Sequence, residues 1–593
     1  MTTTSVKEKM AEEERTGYTI LWMNLPSRCF GQYLVFRYNL LCQSLLCVAG
    51  VISAPIFIAI QLGVSDQPEV RRQLLSIGLF TCGVATILQN LIGCRLPIIQ
   101  GANTSFIAPM AAIFSLTKWS DESLLKEIPT VNGTVTDEPW KMRMREIQGN
   151  LMLASATQFV LGATGLVGFF LRFIGPLTVA PTITVIGLYI GQFALPLCEQ
   201  HWGIAFLSLA LMIIFALFLS TIRVPLATYS RREGCHASRT PIFELIPVIL
   251  AVGVTWLLSF VLTVTDVLPS NSTQHGHMAR TDVRINALYD SPWFYFPLPF
   301  QFGMPTVSAA GYVGMLAATI ASTIESTGDY FASARVAEVV PPPPHAVNRG
   351  VAMEGFSSTI GAMIGGICAS TSYSENIGAI AITKIASRKV FVTAGILLVL
   401  AGVIGKIGAI FTIIPDPIIG GVNLITLGMV TAVGVSTLQF IDLRSSRNLM
   451  IIGTSMMLGL KIPDWMATHS QSIDTGSADF DQVLTVLLST PMFVAGFTGC
   501  FLDNLVPGTE EERGITKWRL SMEGPGDYYI TGEDTYEFPY VTQFIRRIKC
   551  CGYFPMSPTF DKEFSCGCCC KKRSNSSSYG VDNPVAMENV EKL

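Results

Sequence analysis

Long apolar runs separated by short polar stretches dominate this chain. A run of about 20 apolar residues is enough to cross a bilayer as a helix, because no backbone N–H or C=O group can stay unpaired in hydrocarbon. Roughly fourteen such runs occur. We place them at 39–62, 73–93, 98–117, 149–171, 177–197, 203–222, 244–265, 305–331, 350–368, 376–386, 391–411, 417–438, 447–461 and 482–502. The pattern predicts an all-α integral membrane protein.

The runs divide into two halves of about seven spans each. This division predicts an N-terminal segment at 1–38, a first seven-span repeat at 39–265, a loop at 266–304, a second repeat at 305–502 and a C-terminal tail at 503–593. An odd number of spans per half forces the two repeats to be inverted relative to each other. Both termini then lie on the same side of the membrane.

Two small, polar stretches interrupt the third and tenth spans. Ala102-Asn103-Thr104-Ser105-Phe106 lies in the third span, and the similar Ala369-Ser370-Thr371-Ser372-Tyr373 opens the tenth. Paired interruptions at matching positions of inverted halves indicate a transporter's central site. The alternative is that small residues only allow close helix packing. We interpret the pair as broken spans that form a site.

Composition and charge exclude several classes of protein. Only 14% of the residues are charged, against about a quarter in soluble domains, so most of the chain must face lipid. The net charge of -3 and the lack of a basic patch exclude nucleic acid as a partner. The start of the chain is polar and acidic and does not resemble a signal peptide. We therefore expect a cytosolic N-terminus.

The distribution of basic residues agrees with that orientation, because short cytosolic loops are enriched in Lys and Arg. The predicted inner loops contain Arg95, Arg172, Arg223, Arg231, Arg232, Arg239, Arg335, Arg349, Lys384, Arg388, Lys389, Arg444 and Arg447. Arg71 and Arg72 fall outside and are the main exceptions. The sequons at Asn132 and Asn271 lie in the two longest predicted outer loops. We expect a plasma-membrane glycoprotein with both termini in the cytosol.

A cluster of cysteines marks the tail. Cys550, Cys551, Cys566, Cys568, Cys569 and Cys570 lie close to Lys571, Lys572 and Arg573. One interpretation is S-palmitoylation beside a basic stretch, which would anchor the tail to the membrane. The other is a disordered tail with reactive thiols.

Three carboxylates stand out inside the predicted spans, where each costs about 2.5–3.5 kcal/mol. Glu325 and Asp329 are four residues apart, which places them on one face of the eighth helix. A hard cation such as Na⁺ between them would relieve their repulsion, as would protonation or pairing with Arg335. Glu375 begins the tenth helix, where the helix dipole favours a carboxylate. At membrane depth an uncharged cap would cost less, so we predict a functional role for Glu375.

The stretch ASTSYSENIGAIAITK around Glu375 resembles the signature of the nucleobase/ascorbate transporter family, in which Glu, Gln or Pro precedes Asn-x-Gly. IESTGDYFASAR, HAVNRG, GPLTVAPT, IPDPIIGG, SSRNL and VPGTEEERG also read like the animal branch of this family. The resemblance covers most of residues 49–520. It implies a core domain and a gate domain built from inverted seven-span repeats, with the substrate between the broken third and tenth spans and elevator-like transport.

The resemblance also implies roles for individual residues. The substrate-binding residues would be Ser105, Phe106, Glu325, Ser374, Glu375 and Asn376, with Phe106 stacking on the substrate and Asp329 binding sodium. Vitamin C carriers of the family have Pro where this chain has Glu375, whereas nucleobase carriers typically have Glu. Proton-coupled bacterial relatives have His where this chain has Asp329, so the Asp favours sodium coupling.

The first span departs from the family. The family usually has a Gln-His pair there, and the aligned stretch in this chain reads Leu41-Cys42-Gln43-Ser44-Leu45. Residues 21–47 do not resemble the family. The resemblance to the family therefore does not predict how many sodium ions this chain carries in each cycle.

Together these features predict a sodium-dependent symporter that imports nucleobases, such as uracil, thymine, guanine, hypoxanthine and xanthine, across the plasma membrane. The main alternative is a sodium-dependent ascorbate carrier, and an anion carrier, a transport-dead receptor or a membrane-embedded hydrolase are further alternatives. An anion carrier disagrees with two carboxylates at the site. An enzyme is not expected, because the spans contain no Ser-His-Asp or His-rich set. We expect no cofactor besides the coupling ion, contact with membrane lipid, and a homodimer.

Overall fold

The computed structural model describes residues 43, 50–119, 130–131, 134–135, 138–170, 172–230, 234–383, 385–469, 472–523, 535–538, 541–548, 552 and 554–560. The sequon at Asn132 and the six tail cysteines lie outside these residues. Their predicted modifications stay predictions.

The described chain is mostly helical. The main helices are α1 (Gly50–Leu62), α2 (Pro68–Leu91), α3 (Ile107–Phe114), α4 (Pro139–Thr164), α5 (Pro176–Gly191), α6 (Trp202–Ile213), α7 (Pro247–Val264), α8 (Ala309–Val336), α9 (Pro344–Met363), α10 (Ser374–Thr383), α11 (Arg388–Val403), α12 (Gly405–Ile413), α13 (Asp416–Ser436), α14 (Ser446–Thr468), α15 (Ala478–Leu488), α16 (Pro491–Leu505) and α17 (Ile515–Glu523). Short helical segments occupy Thr104–Phe106, Thr117–Trp119, Val167–Phe170, Gln192–Ala194, Leu195–Glu199, Ile214–Phe218, Ile242–Leu245, His277–Ala279, Asn286–Asp290, Thr437–Phe440 and Val541–Ile545.

In the part of the chain that the structure describes, six short strands form three antiparallel pairs. The strands are β1 (Gln100–Ala102), β2 (Thr130–Val131), β3 (Thr134–Val135), β4 (Val224–Ser230), β5 (Gly234–Thr240) and β6 (Ser370–Ser372). β2 pairs with β3 and β4 with β5, each as a local hairpin. β1 pairs with β6, which is distant in the sequence.

Helices occupy every one of the predicted apolar runs. Within the described residues, four helices are long and apolar enough by themselves to cross a membrane, at Pro68–Leu91, Pro176–Glu199, Pro247–Val264 and Asp416–Phe440. The pair α15 and α16 would be a fifth span. The fold is that of a multi-pass, mostly helical membrane protein. The count of fourteen spans, the inverted repeats and the domain boundaries stay predictions.

The predicted spans at 391–411 and 482–502 are not single straight helices. The run 391–411 is divided at Ile404, which bridges to Phe294, because the backbone of a preceding segment inserts beside it. Gly405 permits this approach, since a Cβ there would lie 2.5 Å from the carbonyl oxygen of Pro292. The run 482–502 bends by 83° between α15 and α16, where Pro491 supplies no N–H for a continuous helix.

The helices pack in two groups. The first group comprises α1 to α4 and α8 to α12, in which α9 packs on α4 and α11 packs on α2. The second group comprises α5 to α7 and α13 to α16, in which α13 packs on α5 and α14 packs on α16. α15 also packs against α8 and so joins the groups. We call them the core group and the gate group.

The two arginines that contradict the basic-residue rule are buried in ion pairs. The Arg71 guanidinium lies 3.0 Å from Asp416, and Arg72 pairs with Glu69 at 2.5 Å. The Arg72 guanidinium also lies 4.9 Å from the ring centre of Tyr295. Because these charges are neutralised inside the protein, they are not free loop charges of the kind that sets topology.

The segment after α7 is also held by ion pairs. Arg280 donates to Asp282 at 2.7 Å and to Asp266 at 3.2 Å. The hydrogen bond from Arg280 holds the pKa of Asp282 below its usual range. Asn271, in the same segment, is exposed, and its side-chain oxygen accepts from the Thr273 hydroxyl at 3.0 Å. A sugar could therefore be attached there without disturbing the core.

Candidate functional site

The two polar interruptions meet, as the sequence predicts. Gln100 lies opposite Ser372 and Ala102 lies opposite Ser370 in an antiparallel pair. Two further backbone hydrogen bonds extend this pairing, from the Asn103 N–H to the Ala369 carbonyl and from the Tyr373 N–H to the Ile99 carbonyl. Close contact requires Gly101, because a Cβ there would overlap the Tyr373 ring.

Each strand of this pair leads into a helix. β1 is followed by the turn Thr104–Phe106 and α3, and β6 is followed by α10. The first N–H groups of a helix have no partner inside that helix. Two sets of such donors therefore start next to one another, at the crossing of two broken spans. Both polar interruptions are therefore extended segments that each lead into a helix; their positions as the third and tenth spans stay a prediction.

Helix α8 passes beside the crossing and directs one carboxylate toward each broken span. Glu325 Oε2 accepts from the Asn103 amide at 3.2 Å, and Asn103 Oδ1 in turn accepts from the Ser105 N–H at 2.8 Å. Asp329 Oδ1 accepts from the Ser374 hydroxyl at 2.9 Å, at the start of α10. Because the two carboxylates lie on one face of α8, as predicted, each can accept a hydrogen bond from a different polar interruption.

Between these two contacts, α8 also bonds to the second strand. The Ser326 hydroxyl lies 2.8 Å from the Thr371 hydroxyl, and Ser326 Oγ accepts from the Ser372 N–H at 3.3 Å. Consecutive turns of α8 are therefore bonded to Asn103 after β1, to β6 and to the start of α10. A shift of α8 along its axis would break all of these bonds at once.

A fourth carboxylate, Glu354, lies beneath the strand pair, and the sequence analysis missed it. Glu354 is fully buried in α9, and its Oε1 accepts from Tyr330 at 2.7 Å, Gln100 at 2.9 Å and Ser372 at 3.2 Å. It therefore connects α8, α9, β1 and β6. A count of every acidic residue inside the run 350–368 would have found it.

A cavity of about 50 Å³ lies where the two helix groups meet. On the core side it is lined by polar residues that include Asn103, Ser105 and Glu325, and on the gate side by apolar residues that include Val179, Ile183 and Val430. The Thr182 hydroxyl, also on the gate side, donates to the Thr178 carbonyl of its own helix. One wall can therefore form hydrogen bonds, and the opposite wall offers an apolar surface.

The other predicted site residues do not line this cavity. Phe106 is fully buried in the hydrophobic core and does not line the cavity. Ser374 and Glu375 are exposed in the first turn of α10, with Glu375 within electrostatic range of Glu325. Asn376 is fully buried. The predicted stacking role of Phe106 stays a prediction.

Asn376 contacts Gln43, which lies in the stretch that does not resemble the family. Its amide donates to Gln43 Oε1 at 2.7 Å and to the Gln43 carbonyl at 3.1 Å. Gln43 therefore contacts the first turn of α10, although the residue after it is Ser44 and not His.

Two fully buried carboxylate oxygens at the site have no hydrogen-bond partner among the described residues. They are Asp329 Oδ2 and Glu354 Oε2. Within the same described residues, no set of three His, Cys, Asp or Glu side chains is arranged to hold a metal ion. A cation at Asp329 would therefore need hydroxyl and carbonyl oxygens as its other ligands.

Comparisons with known proteins identify relatives over most of the chain. A model described as "Permease family" matches residues 41–468. Human solute carrier family 23 member 2 is 44% identical over 520 residues, covering 87% of this chain and 79% of its own. Mouse solute carrier family 23 member 1 is 41% identical over 549 residues, covering 92% and 89%.

A plant protein and a solved structure are also similar. Nucleobase-ascorbate transporter 1 from Arabidopsis thaliana is 33% identical over 494 residues, covering 82% of this chain and 89% of its own. The transmembrane domain of the cyanobacterial bicarbonate transporter BicA is 14% identical at a TM-score of 0.42, covering 77% of this chain and 97% of that one.

Proposed function

Because this chain belongs to the nucleobase/ascorbate transporter family of permeases, we propose that it is a sodium-dependent symporter that imports nucleobases. Candidate substrates are uracil, thymine, guanine, hypoxanthine and xanthine. The family makes the chain a multi-pass membrane transporter of small molecules, and its relatives are solute carriers and not enzymes. The choice of substrate and the coupling ion are the steps that we propose.

The observation that carries the substrate proposal is the pairing of Glu325 with Asn103 in the cavity wall. Nucleobases are neutral and planar, with ring N–H donors next to C=O acceptors. A carboxylate accepts from such an N–H, and an amide or a backbone N–H donates to the C=O. The apolar gate wall would face the flat surface of the base. Glu375, in the first turn of α10 and within electrostatic range of Glu325, would be a second acceptor.

Ascorbate is the second candidate, because the name of the 33% identical plant relative includes both substrate classes. Ascorbate is a monoanion at neutral pH. Two carboxylates near a low-dielectric cavity would repel it, and a carrier selective for it needs fewer negative charges there. The proposal therefore places nucleobases first.

Binding to purified protein tests this choice of substrate. A ligand present at a hundred times its Kd stabilises the folded state by about 2.7 kcal/mol. We expect uracil or hypoxanthine to raise the unfolding temperature in sodium buffer and ascorbate to leave it unchanged. If ascorbate alone raised the unfolding temperature, ascorbate would replace nucleobases as the proposed substrate.

Sodium coupling is supported by Asp329. Its Oδ1 is held by Ser374, and its Oδ2 is buried without a hydrogen-bond partner among the described residues. Each charge that moves inward gains about 2.3 kcal/mol per 100 mV, so one Na⁺ at roughly -60 mV would support about tenfold accumulation of a neutral base. The base alone would gain nothing from the membrane potential.

Replacement of Asp329 tests the ion site. We expect Asp329→Asn to raise the sodium concentration for half-maximal uptake by about tenfold, because a charged ligand is lost, and to change the affinity for base less. Uptake at increasing sodium concentrations measures both quantities. Asp282→Asn, in the loop, is the control. Unchanged sodium dependence in Asp329→Asn would remove this residue from the ion site.

We further propose a plasma-membrane location, cytosolic termini and a homodimer. The exposed Asn271 tests the orientation. We expect Asn271→Gln to abolish a glycan-dependent shift in gel mobility that belongs to this site, measured with and without glycosidase, while Asn286→Gln, which is not in a sequon, has no effect. If Asn271 carries no glycan in cells that modify other sequons, the assigned orientation is contradicted.

A further inference from the structure

A buried charge cluster joins the two helix groups at the end of the molecule that carries the 266–304 loop. Asp416 is the first residue of α13 in the gate group. Its Oδ1 accepts from Arg71 of α2, in the core group, at 3.0 Å, and its Oδ2 accepts from Arg284 of the loop at 2.6 Å. The side chain of Arg71 is only 2% exposed, and those of Arg284 and Asp416 are 8% exposed.

A second polar contact crosses between the groups on the same helix. Asn423 lies seven residues after Asp416, which is two turns along the same face of α13. Its Oδ1 accepts from the Ser53 hydroxyl of α1 at 2.6 Å. Two positions of one gate helix are therefore bonded to two core helices.

These contacts cross the plane along which the protein must open. The cavity is lined by the core group on one side and the gate group on the other. A substrate enclosed there is released only when one group moves against the other. Hydrogen bonds between charged groups are strong, and a buried charge that loses its partner is strongly destabilising. The cluster therefore stabilises the closed arrangement at its end of the cavity.

A second carboxylate near the cluster can act as an alternative partner for the two arginines. Asp66, on the exposed turn before α2, lies within electrostatic range of both guanidiniums. When Asp416 moves away, Asp66 and water can partly compensate the two arginines. Such a pair of alternative partners is typical of a contact that forms and breaks.

We propose that Arg71, Arg284 and Asp416, together with Ser53 and Asn423, form a latch that closes the cavity on the loop side and opens once in each cycle. We call this set the loop-side latch. The inference rests on the proposed transport function, because only a transport cycle requires the groups to separate.

A reversible cross-link tests the latch. In the double variant Ser53→Cys and Asn423→Cys, oxidation or a short bifunctional thiol reagent joins α1 to α13. We expect cross-linked protein to lose at least nine-tenths of its uptake (roughly tenfold) and reducing agent to restore an oxidised link. Each single cysteine variant is the control. A complete cross-link that leaves uptake intact would overturn the latch.

A second readout does not depend on the substrate. Thr104 lines the cavity, so labelling of Thr104→Cys by a membrane-impermeant thiol reagent, read by peptide mass spectrometry, reports opening from outside. We expect adding Asp416→Asn to speed this labelling by roughly tenfold, since the closed state loses its central charge. Unchanged labelling would overturn the latch.

The chain provides a matched control for that substitution. Asp503 of α16 is fully buried and paired with two arginines, Arg447 at 3.0 Å and Arg513 at 2.9 Å. Arg447 lies in α14, and Arg513 follows α16 in the chain, so this cluster does not reach the core group. We expect Asp503→Asn to lower stability without speeding the labelling. If the wild-type protein carries neither base nor ascorbate, the proposed function fails, while the labelling still decides whether the latch opens.

Discussion

Glu354→Ala is expected to lower the free energy of unfolding by about 3–5 kcal/mol, because three buried donors lose their acceptor and each unsatisfied group costs about 1–3 kcal/mol. The donors are Tyr330, Gln100 and Ser372. Tyr330 also accepts from Gln89 at 2.8 Å, so the loss would extend to α2. Thermal unfolding of purified protein measures the effect.

Two control variants distinguish the loss of these hydrogen bonds from the effect of removing any negative charge. Glu354→Gln keeps an acceptor oxygen at nearly the same place and should cost less than half as much. Glu199→Ala removes an exposed carboxylate and should change stability by less than about 0.5 kcal/mol. If Glu354→Ala were as stable as Glu199→Ala, the network would not hold the strand pair together.

Glu325→Gln is expected to weaken uptake of bases by roughly 10- to 150-fold, which corresponds to about 1.5–3 kcal/mol for a lost charge-assisted hydrogen bond. Glu325 uses Oε2 to accept from Asn103, so its other oxygen is the one offered to a ring N–H. A neutral amide in its place would present a donor or a weaker acceptor.

Concentration-dependent uptake, corrected for the amount of protein at the cell surface, measures this effect. Glu375→Gln should act in the same direction, and Asp442→Asn, in the distant loop before α14, should have no effect. Normal affinity in Glu325→Gln would show that the cavity wall does not bind the base through this carboxylate.

The central crossing could be predicted from the sequence because its chemistry contrasts with its surroundings. Small polar residues at 102–106 and 369–373 interrupt runs that are otherwise apolar, and their similarity relates the two halves. The strands themselves could not be predicted, since three residues are too few for an alternating pattern. Their pairing is a contact between positions 272 residues apart, such as Gln100 and Ser372.

Three features depended on partners distant in the chain and were missed. Asn103 reads locally as one residue of a small polar stretch, and its bond to Glu325 comes from the fold. Arg71 reads as an exception to the basic-residue rule until Asp416 is placed beside it. The break at Ile404 is set by Phe294, which belongs to another segment. In each case the local pattern contained one half of an interaction.

The most direct test of the account is uptake of labelled uracil and labelled ascorbate, measured side by side in the same cells with sodium and with an inert organic cation in its place. The account predicts uracil uptake that depends on sodium and that excess hypoxanthine inhibits, with no ascorbate uptake above that of cells lacking the protein. Sodium-dependent uptake of ascorbate without uptake of uracil would contradict the account.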